Sequence, residues 1–174
     1  ILFLPEDSAA LDAPAPEGAQ RLIITGAYSS GDRFAPEGFV IRSGDATHPW
    51  PQGWDGLLLI DGEGRLSLHD VSAVRIGPRR YDLRDKVQRA PFLDLARKQG
   101  FTAVQSHLLI NEGALDLKPV EGARKFRRRL LFETAGGEIG IWDTSPRMVT
   151  LYDAAAELKD AIGPRFALNL DLGA

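Results

Sequence analysis

The sequence predicts an α+β fold: a mixed, largely antiparallel sheet with two main helices packed on it. Three observations lead there. Short apolar runs of strand length recur along the chain, bounded by Gly, Asp and Asn. Only two segments, Asp82–Lys98 and Thr150–Ile162, combine helical spacing with recognisable stops. Several connections, Asp61–Gly64, Asn111–Gly113 and Gly136–Gly137, are short Gly-containing turns of the kind that join antiparallel strands.

Taken in order, Ile1–Leu4 can end a strand, and Pro5–Gln20, rich in Pro, Ala, Gly and acids, reads as an exposed connection. Arg21–Thr25 is a strand candidate running into the small-residue loop Gly26–Gly31, which either lets backbone approach a ligand or is an ordinary surface loop. Gly38–Arg42, Gly56–Ile60 and Arg65–His69 are strands, the last two forming a hairpin. Val71–Ile76 is extended. The helix that follows draws its apolar face from Val87, Phe92, Leu95 and Ala96 and is capped by Gly100. Pro91 belongs in a first turn, which places the start near Ala90. Phe101–Ile110 is one strand, with Leu115–Val120 as a possible hairpin partner. Arg124–Thr134 and Glu138–Trp142 pair across Gly136–Gly137.

Thr150–Ala174 is the most informative stretch. Thr150 is an N-cap, answered by Asp153 three residues later, and Leu151, Ala154, Ala155, Leu158 and Ile162 line one face. Gly163 and Pro164 end the helix. Phe166–Leu170 reads as a covered strand, with Asn169 and Asp171 on one face and Leu168, Leu170 and Leu172 on the other. Asp171 at that carboxyl end either lines a site or simply opens a turn.

Composition narrows the function. At 174 residues the chain, 1–174, is expected to be a single domain, truncated at one or both ends since it begins at Ile1. A formal net charge of -3 argues against nucleic-acid binding. No apolar run reaches the roughly 20 residues that span a bilayer. The chain has 0 cysteines, which excludes disulfides and thiolate metal sites, fits either redox compartment and gives mild support to a periplasmic protein. Neither a cofactor nor a metal is expected, and no dinucleotide, phosphate-loop, Gly-x-Ser-x-Gly or His-Glu-x-x-His signature occurs.

Four features can carry chemistry. Arg124, Lys125, Arg127, Arg128 and Arg129 form a basic cluster. Strand alternation puts Arg128 with Phe126, Leu130 and Phe132 on the core face, where it needs a carboxylate partner or clasps an anion. Gln105, Ser106 and His107 interrupt an apolar strand, which marks a strand end at a pocket or a bulge. His107 is either structural or a general acid or phosphate donor. Trp50 and Trp54 in a Pro/Gly loop either stack on a sugar or cover an edge of the core, the second being the commoner use.

With these residues in place, the sequence resembles the phosphodiester glycosidase domain family from about Arg21 onward. The resemblance rests on ITGAY, APEGFVIRSGD, DGLLLIDGEGRL, FTAVQSHLLINEG, FRRRLLFETAGGEIGIW, VTLYDAAAEL and FALNLDLG, in that order. It implies a hydrolase that removes a sugar linked through a phosphodiester, acting on envelope or extracellular glycan in the periplasm or outside a bacterial cell. The implied partner is a carbohydrate or sugar-phosphate. Matched by position, Asp171 is the acidic site residue and Asn169 its neighbour. Arg128 is the site arginine, with Arg129 the alternative register, and Gln105 and Ser106 are a polar pair of the pocket. Thr25 and Tyr28 belong to the first loop, and Gly173 to the stretch after the acid. Thr25 stands where relatives carry Asn, and the Gly-rich continuation is reduced to Leu172-Gly173-Ala174. These departures motivate the alternative of a non-catalytic glycan- or anionic-polymer-binding domain of the same fold.

Overall fold

The structure is a computed structural model that describes residues 29–30, 35–36, 38–48 and 53–170. The strand candidate at 21–25 and the termini lie outside those residues. Among the described residues fourteen strands and two helices follow in order: β1 (Ser29–Ser30), β2 (Ala35–Pro36), β3 (Val40–Arg42), β4 (Asp45–His48), β5 (Gly56–Ile60), β6 (Leu66–Asp70), β7 (Val74–Ile76), β8 (Arg79–Tyr81), α1 (Lys86–Gln99), β9 (Thr102–Ser106), β10 (Leu108–Asn111), β11 (Ala114–Leu115), β12 (Arg129–Glu133), β13 (Ile139–Asp143), α2 (Leu151–Ile162) and β14 (Phe166–Leu170). The class is α+β, and every named strand pair is antiparallel.

The sheet is divided in two. One five-stranded sheet runs β4-β3-β9-β5-β6 and the other β11-β10-β14-β12-β13, with β1-β2 and β7-β8 as separate hairpins. Alternation along β5 explains the layering. Leu57 and Leu59 pack with Phe92 and Ala96 of α1, whereas Leu58 points the other way, to Leu131 and Leu168 of the second sheet. On β14, Phe166, Leu168 and Leu170 fill that space between sheets, and Ala167 turns to Ala154, Ala155 and Leu158 of α2. The order of layers is therefore helix, sheet, sheet, helix, and β14 is buried on both faces. The sheets approach closely at Gly56, where an added Cβ would collide with Leu168 Cδ2 and lie 3.0 Å from Leu108 N and Ser106 O. Glu133 Oε2 accepts from Leu68 N at 2.8 Å, linking the edge strand β6 to the other sheet.

Three of the four helix ends are closed by the caps the sequence predicts, Thr150, Gly163 and Gly100. Thr150 Oγ1 accepts from Asp153 N at 3.0 Å, and Gly163 takes the left-handed conformation. In α1 Asp85 accepts from Val87 N at 2.9 Å and Gly100 closes the other end. That cap starts the helix at Lys86 rather than near Ala90, so Pro91 lies in the second turn. Val87 is correspondingly 79% exposed, and Arg89, Phe92 and Ala96 form the buried face. The expected continuous strand Phe101–Ile110 is split at His107: β9 belongs to the first sheet and β10 to the second. The polar trio marks this crossover, where ladder hydrogen bonds stop and side chains must replace them.

Candidate functional site

The crossover gathers residues from distant parts of the chain. His107 joins β9 to β10, Asp55 immediately precedes β5, Arg128 immediately precedes β12, and Asn169 is the penultimate residue of β14. The His107 carbonyl accepts from Asn169 N at 3.0 Å, and Ser106 Oγ donates to the Asn169 carbonyl. Asp55 Oδ1 accepts from Leu108 N at 3.2 Å. The His107 and Trp54 rings lie 5.1 Å apart, tilted by 52°. Trp54 is fixed from two further sides. Its carbonyl accepts from Gln105 Nε2, and its ring passes so close to Gly38 that a Cβ there would sit 3.1 Å from Cζ3.

Gln105 is fully buried and holds backbone at both ends, its Oε1 accepting from Phe39 N at 2.8 Å. Arg128 is half-buried. Its guanidinium donates to the carbonyls of Val149 (3.4 Å) and Arg124 (3.3 Å) and lies 4.9 Å from the centre of the Phe126 ring. Its backbone is pinned by Thr144, which gives an N–H to the Arg128 carbonyl and takes one at Oγ1. Arg129 pairs with Asp143 across β12 and β13 at 3.0 Å. The structure thus brings Ser106, His107 and Asn169 together, sets Gln105 behind them as the support of Trp54, places Arg128 where its charge acts on the His107 ring, and engages Arg129 in an ion pair. Thr25, Tyr28, Trp50, Asp171 and Gly173 lie outside the described residues.

The electrostatics centre on His107. Burial, and then the Arg128 charge, hold its pKa below the ordinary imidazole value, while Asp55 opposes them. The ring is consequently neutral at neutral pH. Asp55 also meets Asp116, whose backbone N–H donates to the Leu109 carbonyl at 2.9 Å. Burial, the Asp55 carboxyl and the more distant Asp70 push Asp116 up to about 6. Asp70 in turn accepts from Asn111 Nδ2 at 3.1 Å. Asp55 and Asp116 escaped the sequence reading. Asp55 carried one local signal, an acid directly before an apolar strand and directly after a tryptophan; Asp116 carried none. Among the described residues no group of three or more His, Asp or Glu side chains is arranged to hold a metal ion. No helix among them is long and apolar enough to cross a membrane. A cavity of about 530 Å³ opens at the other end of β5, lined by Asp61, Arg65 and Arg75 among others, and includes none of the sequence-predicted site residues.

No protein-family model matches the chain, and no curated protein matches it. Solved structures do. The catalytic domain of zebrafish N-acetylglucosamine-1-phosphodiester alpha-N-acetylglucosaminidase, auto-inhibited by its pro-peptide, superposes with a TM-score of 0.58 at 14% identity, over 86% of this chain and 50% of that one. The likeness is one of fold. A hypothetical protein from Synechocystis gives a TM-score of 0.50, also at 14% identity, over 86% of this chain and 45% of its own. The chain thus spans about half the length of these structures.

Proposed function

We propose that the chain is a hydrolase of a sugar linked through a phosphodiester, acting in the periplasm or outside the cell. The observation that carries this reading is Arg128, directly before the strand that pairs with β14 and with its charge acting on the His107 ring, within a fold shared with a phosphodiester glycosidase catalytic domain. Arg128 supplies the fixed cation that a phosphodiester needs, in a fork suited to two phosphate oxygens. Asp171, next in sequence after Leu170, serves as base or as stabiliser of an oxocarbenium-like centre. In the reaction a water oxygen bonds to the anomeric carbon and yields its proton to the base. The bond from that carbon to the phosphate oxygen breaks, and the phosphomonoester leaves with the electron pair. Phosphate leaves readily without protonation, so a neutral His107 suffices as a hydrogen-bond donor to it.

The neutral state of His107 equally suits the second reading, a domain that binds anionic glycan without turnover. Purified protein incubated with methyl phosphodiesters of glucose 1-phosphate and N-acetylglucosamine 1-phosphate separates the two. Free sugar released by wild type and lost in Arg128→Lys supports the hydrolase. Folded protein that releases none at any pH, yet binds these diesters, supports the binding domain.

A further inference from the structure

We propose that the loop before β12 is an extended docking track for a polymer of repeating phosphodiesters, so that the ligand of this site is a polyanionic chain rather than a single small diester. This rests on the proposed phosphodiester specificity and adds the length of the ligand. Residues 117–128 hold five cations, Lys118, Arg124, Lys125, Arg127 and Arg128, against one acid, Glu121, in a chain whose net charge is -3. Such a local excess is not explained by overall composition. The other arginines of this half of the molecule are paired: Arg129 with Asp143, Arg147 with Glu157 and Arg165 with Glu112. Lys118, Arg124, Lys125 and Arg127 are exposed and have no ion-pair partner among the described residues.

The track is continuous with the site. Arg128 Nη2 donates to the Arg124 carbonyl, and Phe126 packs under the Arg128 guanidinium, so the loop folds back against the residue that contacts the diester. Phe126 also bridges to Val149 through two backbone hydrogen bonds of 3.0 and 2.9 Å, which fixes the loop rather than leaving it to follow its charges. Beside these cations Phe126 is 47% exposed and Met148 63% exposed. Cations interleaved with exposed apolar surface match a chain that alternates phosphates with sugar or alditol units, whose C–H faces suit an aromatic ring.

The test compares wild type with Arg124→Gln/Lys125→Gln/Arg127→Gln, which keeps Arg128 and every backbone bond of the loop. The probes are a synthetic poly(glycerol phosphate) oligomer, monomeric glycerol phosphodiester, and a single-stranded RNA of equal charge. The expected result is polymer binding much tighter than monomer binding, with log Kd rising steeply with log salt. The triple variant should lower that slope by roughly 2–3, about one for each phosphate contact removed, while hydrolysis of the small methyl diesters stays at the wild-type rate. Polymer binding lost in the variant supports the track even where no diester is hydrolysed, in which case only the hydrolase reading falls. Equal polymer affinity in both proteins, or polymer bound no better than monomer, overturns the track and leaves the hydrolase reading intact. RNA bound as tightly as the polymer overturns the assigned ligand.

Discussion

The Asn169 N–H donates to the His107 carbonyl at 3.0 Å, tying the end of β14 to the one residue at which the chain leaves one sheet for the other. This bond uses backbone on both sides, so it does not depend on which side chain stands at position 107. His107→Gln is therefore expected to keep the fold, with a melting temperature within a few degrees of wild type. If the imidazole donates a hydrogen bond to the departing phosphate, kcat on a sugar-1-phosphodiester should fall by about 10²–10³ at unchanged KM. A matching loss in melting temperature, with activity per folded molecule preserved, would show a purely structural ring packed on Trp54.

Gln105 is a different kind of residue in the same neighbourhood. Its amide spans Phe39 N and the Trp54 carbonyl at a fully buried position. Gln105→Leu is close in volume but leaves both backbone groups without that partner, and should cost about 2–4 kcal/mol of unfolding free energy in urea. Gln105→Glu keeps an acceptor for Phe39 N but buries a charge, and should be no better. A cost below about 1 kcal/mol for Gln105→Leu would mean that Trp54 is held by its ring contacts alone.

What the sequence reveals of this arrangement follows the range of the interactions. Thr150, Gly163 and Gly100 can be read because a cap is decided within four residues. Pro91 misleads because its own preference for a first turn is overridden by the Asp85 cap six residues earlier. The division of residues 101–110 between two sheets depends on β3 and β5 on one side and β14 on the other, partners that no local pattern names. The polar trio nevertheless announces that the strand stops there. Asp55 and Asp116, 61 positions apart, both bond to β10, a long-range pairing that no local pattern announces.

Asp116 gives the site a pH signature. Its folded pKa, about 6, is above the ordinary 3.8. The stability it contributes is therefore complete below 3.8 and disappears as pH rises through 6, when the charges of Asp55, Asp70 and Asp116 oppose one another. His69 acts in the opposite sense. Burial, then Arg165, lower it to about 4, so its contribution is present above 6.5 and lost as pH falls towards 4. Asp116→Asn should raise the melting temperature at pH 7 relative to wild type and not at pH 4, leaving the His69 limb exposed. Melting curves that stay parallel from pH 4 to 7 would refute the carboxyl pairing.

Arg128 is where fold and proposed chemistry can be separated most cleanly. Its guanidinium rests on two carbonyls at 3.3 and 3.4 Å and on the Phe126 ring, long contacts that a lysine can replace in charge but not in shape. Arg128→Lys should change stability by no more than about 1 kcal/mol. It also keeps the positive field that lowers the His107 pKa, so the pH dependence of any activity should hold its position. The loss should fall instead on phosphodiester affinity, by about tenfold to a hundredfold, because the two-pronged contact with phosphate is gone. Arg128→Gln removes the charge as well, and should shift the His107 titration upward in addition to weakening binding. NMR titration of the His107 ring, run beside calorimetry with a sugar-1-phosphodiester, reads both effects in one pair of variants. Unchanged affinity in Arg128→Lys, with a His107 pKa that ignores Arg128→Gln, would place the anion site elsewhere.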